Sequence, residues 1–337
     1  MIVHCYVTPG WLNMGGYQLF RALLNRCLLA VATLWLASVI IFISLSFLPG
    51  DAATTRLGGT GTMTQVAQLR TELGLDRPLP LRYINWITGI LHGNWGYSNI
   101  NGQPVNNLLH ERGSYSLLLG LVASFLLFPV SIILGTYCGL YPGGRCDRIV
   151  IFLTLIFVGV PEFITGTFLV IIFSLSLQWL PPLSIISPQH SIWTQLKMMI
   201  FPVLTIIVPC IGHNLRMIRS GTISASSSPA TLNARLNGVS EYTVIIRWIL
   251  PLSLINALPI MARYFTWLLG GAFIAETLFS WPGLAIPLLN ATLMRDTPVV
   301  MGISFIICSL TILINLLADV IIILLNPSVK RENVTNE

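Results

Sequence analysis

The sequence predicts an all-α integral membrane protein with six transmembrane helices and both termini in the cytoplasm. Three observations predict it. Of 337 residues, 54% are hydrophobic and 9% charged, against about 25% charged in an average soluble domain. So few charges cannot coat a water-facing surface, which excludes a soluble enzyme, and disorder needs the opposite composition. Long stretches are also free of charge, notably between Arg26 and Asp51, Arg112 and Arg145, and Asp296 and Asp319. Finally, arginines cluster on alternate short loops: Arg21 and Arg26, then Arg145 and Arg148, then Arg216, Arg219, Arg235 and Arg247, then Lys330 and Arg331. Positive-inside puts those loops and both termini in the cytoplasm. The net charge of +6 sets orientation and gives no sign of nucleic acid.

A bilayer core of about 30 Å needs about 20 apolar residues, and these must be helical to satisfy the backbone. Residues 1–27 form a cytoplasmic N-terminal segment, and 28–48 the first span. Its apolar run exceeds the usual signal-peptide core of about 7–15 residues, so it reads as a span and not a cleaved signal. The exported loop 49–114 is expected to hold helices at 64–73 and 81–91. In the second, Tyr83, Trp86, Ile87, Ile90 and Leu91 make one apolar face, suited to the outer interface or to a docked protein.

Residues 115–325 make a five-helix core. The second span, 115–140, carries Gly135 and Gly139 at GxxxG spacing, which favours close packing. The third, 149–177, holds Pro161-Glu162, read as a kink beside a polar cavity. The fourth is 198–217. The fifth, 250–274, carries Arg263 about 12 residues in, near mid-bilayer, where an arginine must face water or a partner. Arg263 is expected to face a pathway or pair with an acid. In the sixth, 299–325, Asp319 is expected to cap or pair locally. A cytoplasmic tail, 326–337, follows.

Chemistry is sparse. The two lysines, Lys197 and Lys330, sit in no GxxxxGK[ST] motif, and there is no HExxH or GxSxG. No enzyme activity, bound cofactor or metal site is expected of this chain. Five scattered histidines offer no ligand set, and the six cysteines map to spans or the cytoplasmic side, so no disulfide framework is implied.

The cytoplasmic loop 219–249 is the most specific segment. Ser228 suits an N-cap and Pro229 a first helical residue. Ala230 to Leu236 continues for about two turns, and Asn237-Gly238 supplies a left-handed stop. A second helix starts near Ser240, with Glu241 in its first turn, and leads to Leu250-Pro251. Such a short helix is either a rigid lever for a soluble partner or an amphipathic connector on the membrane.

Ala234-Arg235-Leu236-Asn237-Gly238, followed by Leu250-Pro251, resembles the coupling loop of ABC importer permeases, in the form found in the dipeptide/oligopeptide/nickel family. Other pieces are similar and in order: Leu48-Pro49-Gly50-Asp51, Leu73-Gly74-Leu75-Asp76-Arg77-Pro78-Leu79, Gly93-Asn94-Trp95-Gly96, Glu276 through Trp281-Pro282-Gly283-Leu284, Arg295-Asp296-Thr297-Pro298, and Asn315, Asp319 and Asn326-Pro327. The resemblance implies a type I ABC importer permease fold in a bacterial inner membrane. It implies a second homologous permease, two ATP-binding subunits that hold ATP and Mg, and a periplasmic or lipoprotein substrate-binding protein. Pro229, Ala230, Ala234, Arg235, Asn237 and Gly238 would then form the ATPase-coupling element, with Arg235 anchoring it by a charge-assisted contact. Pro229 stands where the family usually has an acid, and Ala230 where it usually has Tyr.

The Trp281-Pro282-Gly283 turn reads either as a re-entrant gate near the path or as an interfacial anchor with an ordinary turn. Glu276 would pair with a partner arginine, help dock the binding protein, or remain solvated. Arg263 and Glu162 are the pathway candidates. The family's cargo includes peptides, nickel and metal chelates, with a cationic-peptide or polyamine branch as an alternative. An ion-coupled secondary transporter, which needs no ATPase, is the competing class.

Overall fold

The computed structural model describes residues 16–47, 50–57, 61–186, 191–270 and 272–325. Expectations for residues 1–15, Leu48-Pro49, Gly58 to Thr60 and the tail 326–337 fall outside them. The described residues are helical, with one isolated β-bridge between Tyr97 and Pro104. In chain order the helices are α1 Gly16–Phe47, α2 Ala52–Arg56, α3 Met63–Glu72, α4 Leu79–Leu91, α5 Val105–Leu140, α6 Arg145–Gly159, α7 Glu162–Leu169, α8 Ile192–Ser226, α9 Pro229–Leu236, α10 Glu241–Val244, α11 Leu250–Gly270, α12 Phe273–Leu278, α13 Ala285–Leu293 and α14 Thr297–Leu325.

Several helices overrun the apolar runs that announced them. The exported loop ends at α5, which starts at Val105 and carries His110, Glu111 and Arg112 in helix. Likewise α8 continues through Arg216 and Arg219 to Ser226. A span ends for hydropathy at its first charge, but the backbone bonds continue into water, where charged side chains cost the helix little.

The third span departs most from expectation. Instead of one kinked helix over 149–177, α6 and the α7 arm meet at 105°. Pro161 has no N–H to donate and forces the residue before it out of helical conformation; Val160 is extended, at φ −94° and ψ 122°. Beyond α7 a π-helical stretch, Val170–Ser176, completes the second arm. Each arm is about 22 Å long at about 1.5 Å per residue, too short to cross alone.

Lipid tails are as apolar as leucine, so helices in a membrane are held by close packing at small residues. Here α8 is the axis. A β-carbon on Gly139 would lie 2.8 Å from the Arg219 carbonyl, and one on Gly135 3.0 Å from that of Leu215, so the GxxxG face of α5 seats on α8. On α8 itself Gly212 admits Thr154 and Val158 of α6, and Gly166 of α7 sits against Thr205. Gly120 brings α5 to within 2.7 Å, measured from such a β-carbon, of the Leu268 carbonyl on α11. Leu119, Leu127, Phe201, Ile206, Phe279 and Trp281 fill the centre.

The segment before α5 packs onto α1 and α14. Tyr83 hydroxyl and Ser38 hydroxyl bond at 2.7 Å, Tyr83 meets Phe42 at 5.4 Å and Trp86 meets Phe305 at 5.6 Å. The apolar face expected on α4 is therefore spent within the chain, apart from Leu91, which is exposed. Asp296, at the start of α14, is 4% exposed, bonds the Ser98 hydroxyl and accepts from Asn99 N at 2.9 Å. Asp319 pairs not locally but with Arg26 across to α1.

Candidate functional site

Two constructions stand at opposite ends of the bundle. At one end, α9 hangs between the end of α8 and the start of α10. Ser228 caps it, accepting from Thr231 N at 3.3 Å, with Pro229 in the first turn. The Thr231 hydroxyl donates to Ala225 O of α8 at 2.8 Å. Gly238 closes the helix at φ +74°; its N–H bonds Arg235 O at 3.0 Å and Val239 N–H bonds Ala234 O at 3.1 Å, a Schellman closure. Ala234, Ala225, Val244 and Ile249 pack beneath.

Arg235 is bidentate to Glu241, at 2.6 and 3.1 Å, and reaches Ser226 O at 3.4 Å. Hydrogen bonding to Arg235 holds the Glu241 carboxyl below its usual range. The expected anchor to a partner is thus a brace inside the chain, fixing α9 to α8 and α10. What this segment presents outward is Pro229, Ala230, Asn233, Asn237 and two leucines, Leu232 at 48% and Leu236 at 85% exposure. Sequence reasoning passed over those leucines, although their i, i+4 spacing was visible. From α10 the chain passes through a π-helical stretch, Ile245–Ile249, into α11, so Leu250-Pro251 does not stop the helix.

At the other end the chain turns between α12 and α13. Glu276 is 2% exposed. Its carboxylate accepts from the Ser116 hydroxyl at 2.5 Å and from Ala285 N at 2.8 Å, while Ser116 accepts from Leu284 N at 2.9 Å. A β-carbon on Gly283 would stand 2.3 Å from the Glu276 carboxyl carbon. Glu276 therefore closes the turn within the chain; it is neither solvated nor free for a partner arginine. Trp281 is no interfacial anchor: it is fully buried, donating Nε1–H to Tyr115 O at 3.1 Å. Pro282 sits in the same turn, and Phe279 O accepts from Ser184 N at 2.8 Å.

The two mid-membrane charges do not form an ion pair. Glu162 is 8% exposed, takes a hydrogen bond from the Ala275 backbone, and its Oε1 has no partner among the described residues. Arg263 is exposed and lies over the Tyr264 ring, 5.6 Å from its centre. A further ion pair that the sequence did not suggest closes the α9 end: Arg219 of α8 grips Asp147 of α6 at 2.6 and 2.8 Å.

The sequence that folds into this bundle matches a known family. The family described as binding-protein-dependent transport system inner membrane component matches residues 131–331, and its N-terminal counterpart matches residues 19–112. The chain belongs to this family. A probable peptide ABC transporter permease protein of Sinorhizobium fredii is 29% identical over 308 residues, 91% of this chain and 98% of the relative. A putative peptide transport system permease protein of Brucella abortus is 31% identical over 308 residues, with the same coverage. The glutathione transport system permease protein GsiC of Salmonella typhi is 31% identical over 307 residues, again 91% and 98%. This chain is thus a multi-pass inner-membrane permease subunit of an ABC importer, acting in a complex with other ABC subunits. The family is the permease component and not itself an ATPase.

Proposed function

We propose that this permease moves peptides or peptide-like molecules, delivered by a periplasmic or lipoprotein substrate-binding protein, through a path shared with a second homologous permease. Two ATP-binding subunits, carrying ATP and Mg, press on it from the cytoplasm, where both termini and α9 lie. The observation that carries the reading is the mounting of α9. A lever must be stiff against its own bundle and adhesive outward. The Arg235–Glu241 brace, the Thr231 tie to α8 and the Schellman closure supply stiffness. Leu232 and Leu236 supply an exposed apolar surface.

Peptides are favoured because similar permeases carry peptide or glutathione in their names. The locked turn around Trp281, Pro282 and Gly283 is the gate candidate, with Glu276 as its clasp. Arg263 and Glu162 line the path between the two ends. The test is purification of the complex in gentle detergent from the native cell, with mass spectrometry of what copurifies and of ligands eluted from the binding protein. A second permease, ATP-binding chains and bound peptides are expected. A chain that purifies alone, where other importers stay intact, sinks the proposal.

A further inference from the structure

Where α8 and α11 run side by side, four polar side chains gather. His213 and Tyr264 stack, ring centres 5.7 Å apart and planes at 24°. Arg216 lies one turn along α8, with Nη2 3.5 Å from His213 Nδ1 and Nε donating to Gly212 O at 3.1 Å. Arg263 lies over the Tyr264 ring, 5.6 Å from its centre, and so joins the cluster through the ring that stacks on His213. The salt bridges among the described residues are Arg26–Asp319, Arg70–Asp51, Arg219–Asp147 and Arg235–Glu241. Arg216 and Arg263 therefore have no carboxylate within ion-pair distance among those residues.

Depth makes this arrangement informative. Arg263 lies six residues, about 9 Å at about 1.5 Å per residue, inside the apolar span Ala257–Leu278, toward the end of the bundle where α8 carries Arg216 and Arg219. An arginine inside a span faces the bundle interior, a water-filled cavity or a partner. Arg216 and Arg263 bring two positive charges to one cluster, and no carboxylate among the described residues pairs with either. An anion offsets that charge. A carboxylate suits it well, because the planar guanidinium fork matches its two oxygens, and the stacked Tyr264 and His213 hold the two forks apart on a rigid base.

We propose that Arg216, His213, Arg263 and Tyr264 form an anion-receiving subsite on the translocation path, which takes a carboxylate of the passing substrate. This rests on the importer reading and narrows it, since the site favours carboxylate-bearing peptides or chelates and repels a bare divalent cation. Side-chain exposure keeps the hold weak, as a conducting site requires entry without capture.

The test uses the assembled transporter and two small thiol reagents. Arg263→Cys is treated with the anionic sulfonatoethyl and the cationic trimethylammonioethyl methanethiosulfonate. Rates are corrected for reaction with a free thiol and with the native cysteines. The anionic reagent is expected to react about tenfold faster, and adding Arg216→Gln should bring the ratio toward one. Equal rates, a cationic preference, or no reaction with either reagent overturns the proposal; the last means lipid or a partner's acid covers the position. If Arg263→Cys does not assemble, Tyr264→Cys carries the same comparison. Failure of the importer reading shows separately, as an absence of ATP-binding subunits from the purified wild-type complex.

Discussion

Gly283 has no room for a side chain. A β-carbon there meets the Glu276 carboxyl group at 2.3 Å, and neither side yields, because Glu276 is held by Ser116 and Ala285 N. Gly283→Ala is therefore expected to cost about 1–3 kcal/mol through overpacking. Glu276→Ala leaves the Ala285 N–H and the Ser116 hydroxyl buried and unpaired, at about 1–3 kcal/mol each. Glu276→Gln keeps an acceptor and should cost less. Thermal unfolding of the purified complex ranks the three; Glu276→Ala proving as mild as Glu276→Gln would show that the carboxylate is not a clasp. The sequence displayed this glutamate and this glycine, but the third member, Ser116, lies far away on α5, so the clasp was not legible. Asp51, in the loop before α2, gives a pH test. Burial pushes its carboxyl up, but bonds from Thr54 and from Arg70 at 2.5 Å outweigh this, and the net shift is downward. A depressed carboxyl stabilises the fold fully above its unfolded value of about 3.9 and loses that contribution as pH falls through its lower folded value. Asp51→Asn should remove that acid-side loss in a pH series of unfolding temperatures. An unchanged acid limb would mean the Asp51–Arg70 bond contributes nothing to stability.

Helix α9 was the most legible element, because its signals are local. A serine cap, a proline beside it and an Asn-Gly stop all act within a few residues of where they stand, and the helix spans Pro229–Leu236 as read. Its mounting was not legible, since the brace to Glu241 and the tie to Ala225 depend on how three helices meet. This division sets the expected effects. Arg235→Ala weakens an exposed pair worth about 0.2–1 kcal/mol, so it should loosen α9 without unfolding the chain. Leu236→Asp touches no packing within the chain, since Leu236 is 85% exposed, yet it places a charge on the surface that the proposed coupling role assigns to the ATP-binding subunits. ATP-binding subunits should be recovered about tenfold less with Leu236→Asp, while the expression and melting of the permease itself stay unchanged. Full recovery would mean that α9 engages its partner through another face, or not at all.

At the scale of the whole chain the sequence conveyed how many apolar segments there are, but not their course. Charge-free runs predict spans because a bilayer tolerates few charges. They carry nothing about direction, so the 105° break at Pro161 read only as a kink. The break makes sense only against α8. With two short arms in place of one crossing helix, α6 and α7 can each seat on α8, through Gly212 and Gly166, while α5 takes another face through Gly135 and Gly139. The bundle then depends on α8 staying close to its neighbours, because lipid offers no hydrophobic penalty to drive them back together. That dependence is testable at Gly139 and Gly143 on either side of the end of α5. Gly139 faces α8, and a β-carbon there would sit 2.5 Å from Thr222 and 2.8 Å from the Arg219 carbonyl. The backbone cannot give without displacing Arg219 from Asp147, so Gly139→Leu should separate α5 from α8 and break that ion pair together. Gly143 has nothing within 4 Å but lies at φ +79°, so Gly143→Ala incurs only local backbone strain, about 1–2 kcal/mol. Folded, membrane-inserted permease recovered in detergent should drop severely for Gly139→Leu and modestly for Gly143→Ala. The reverse order would mean that the turn after α5, and not its packing on α8, holds this end of the bundle.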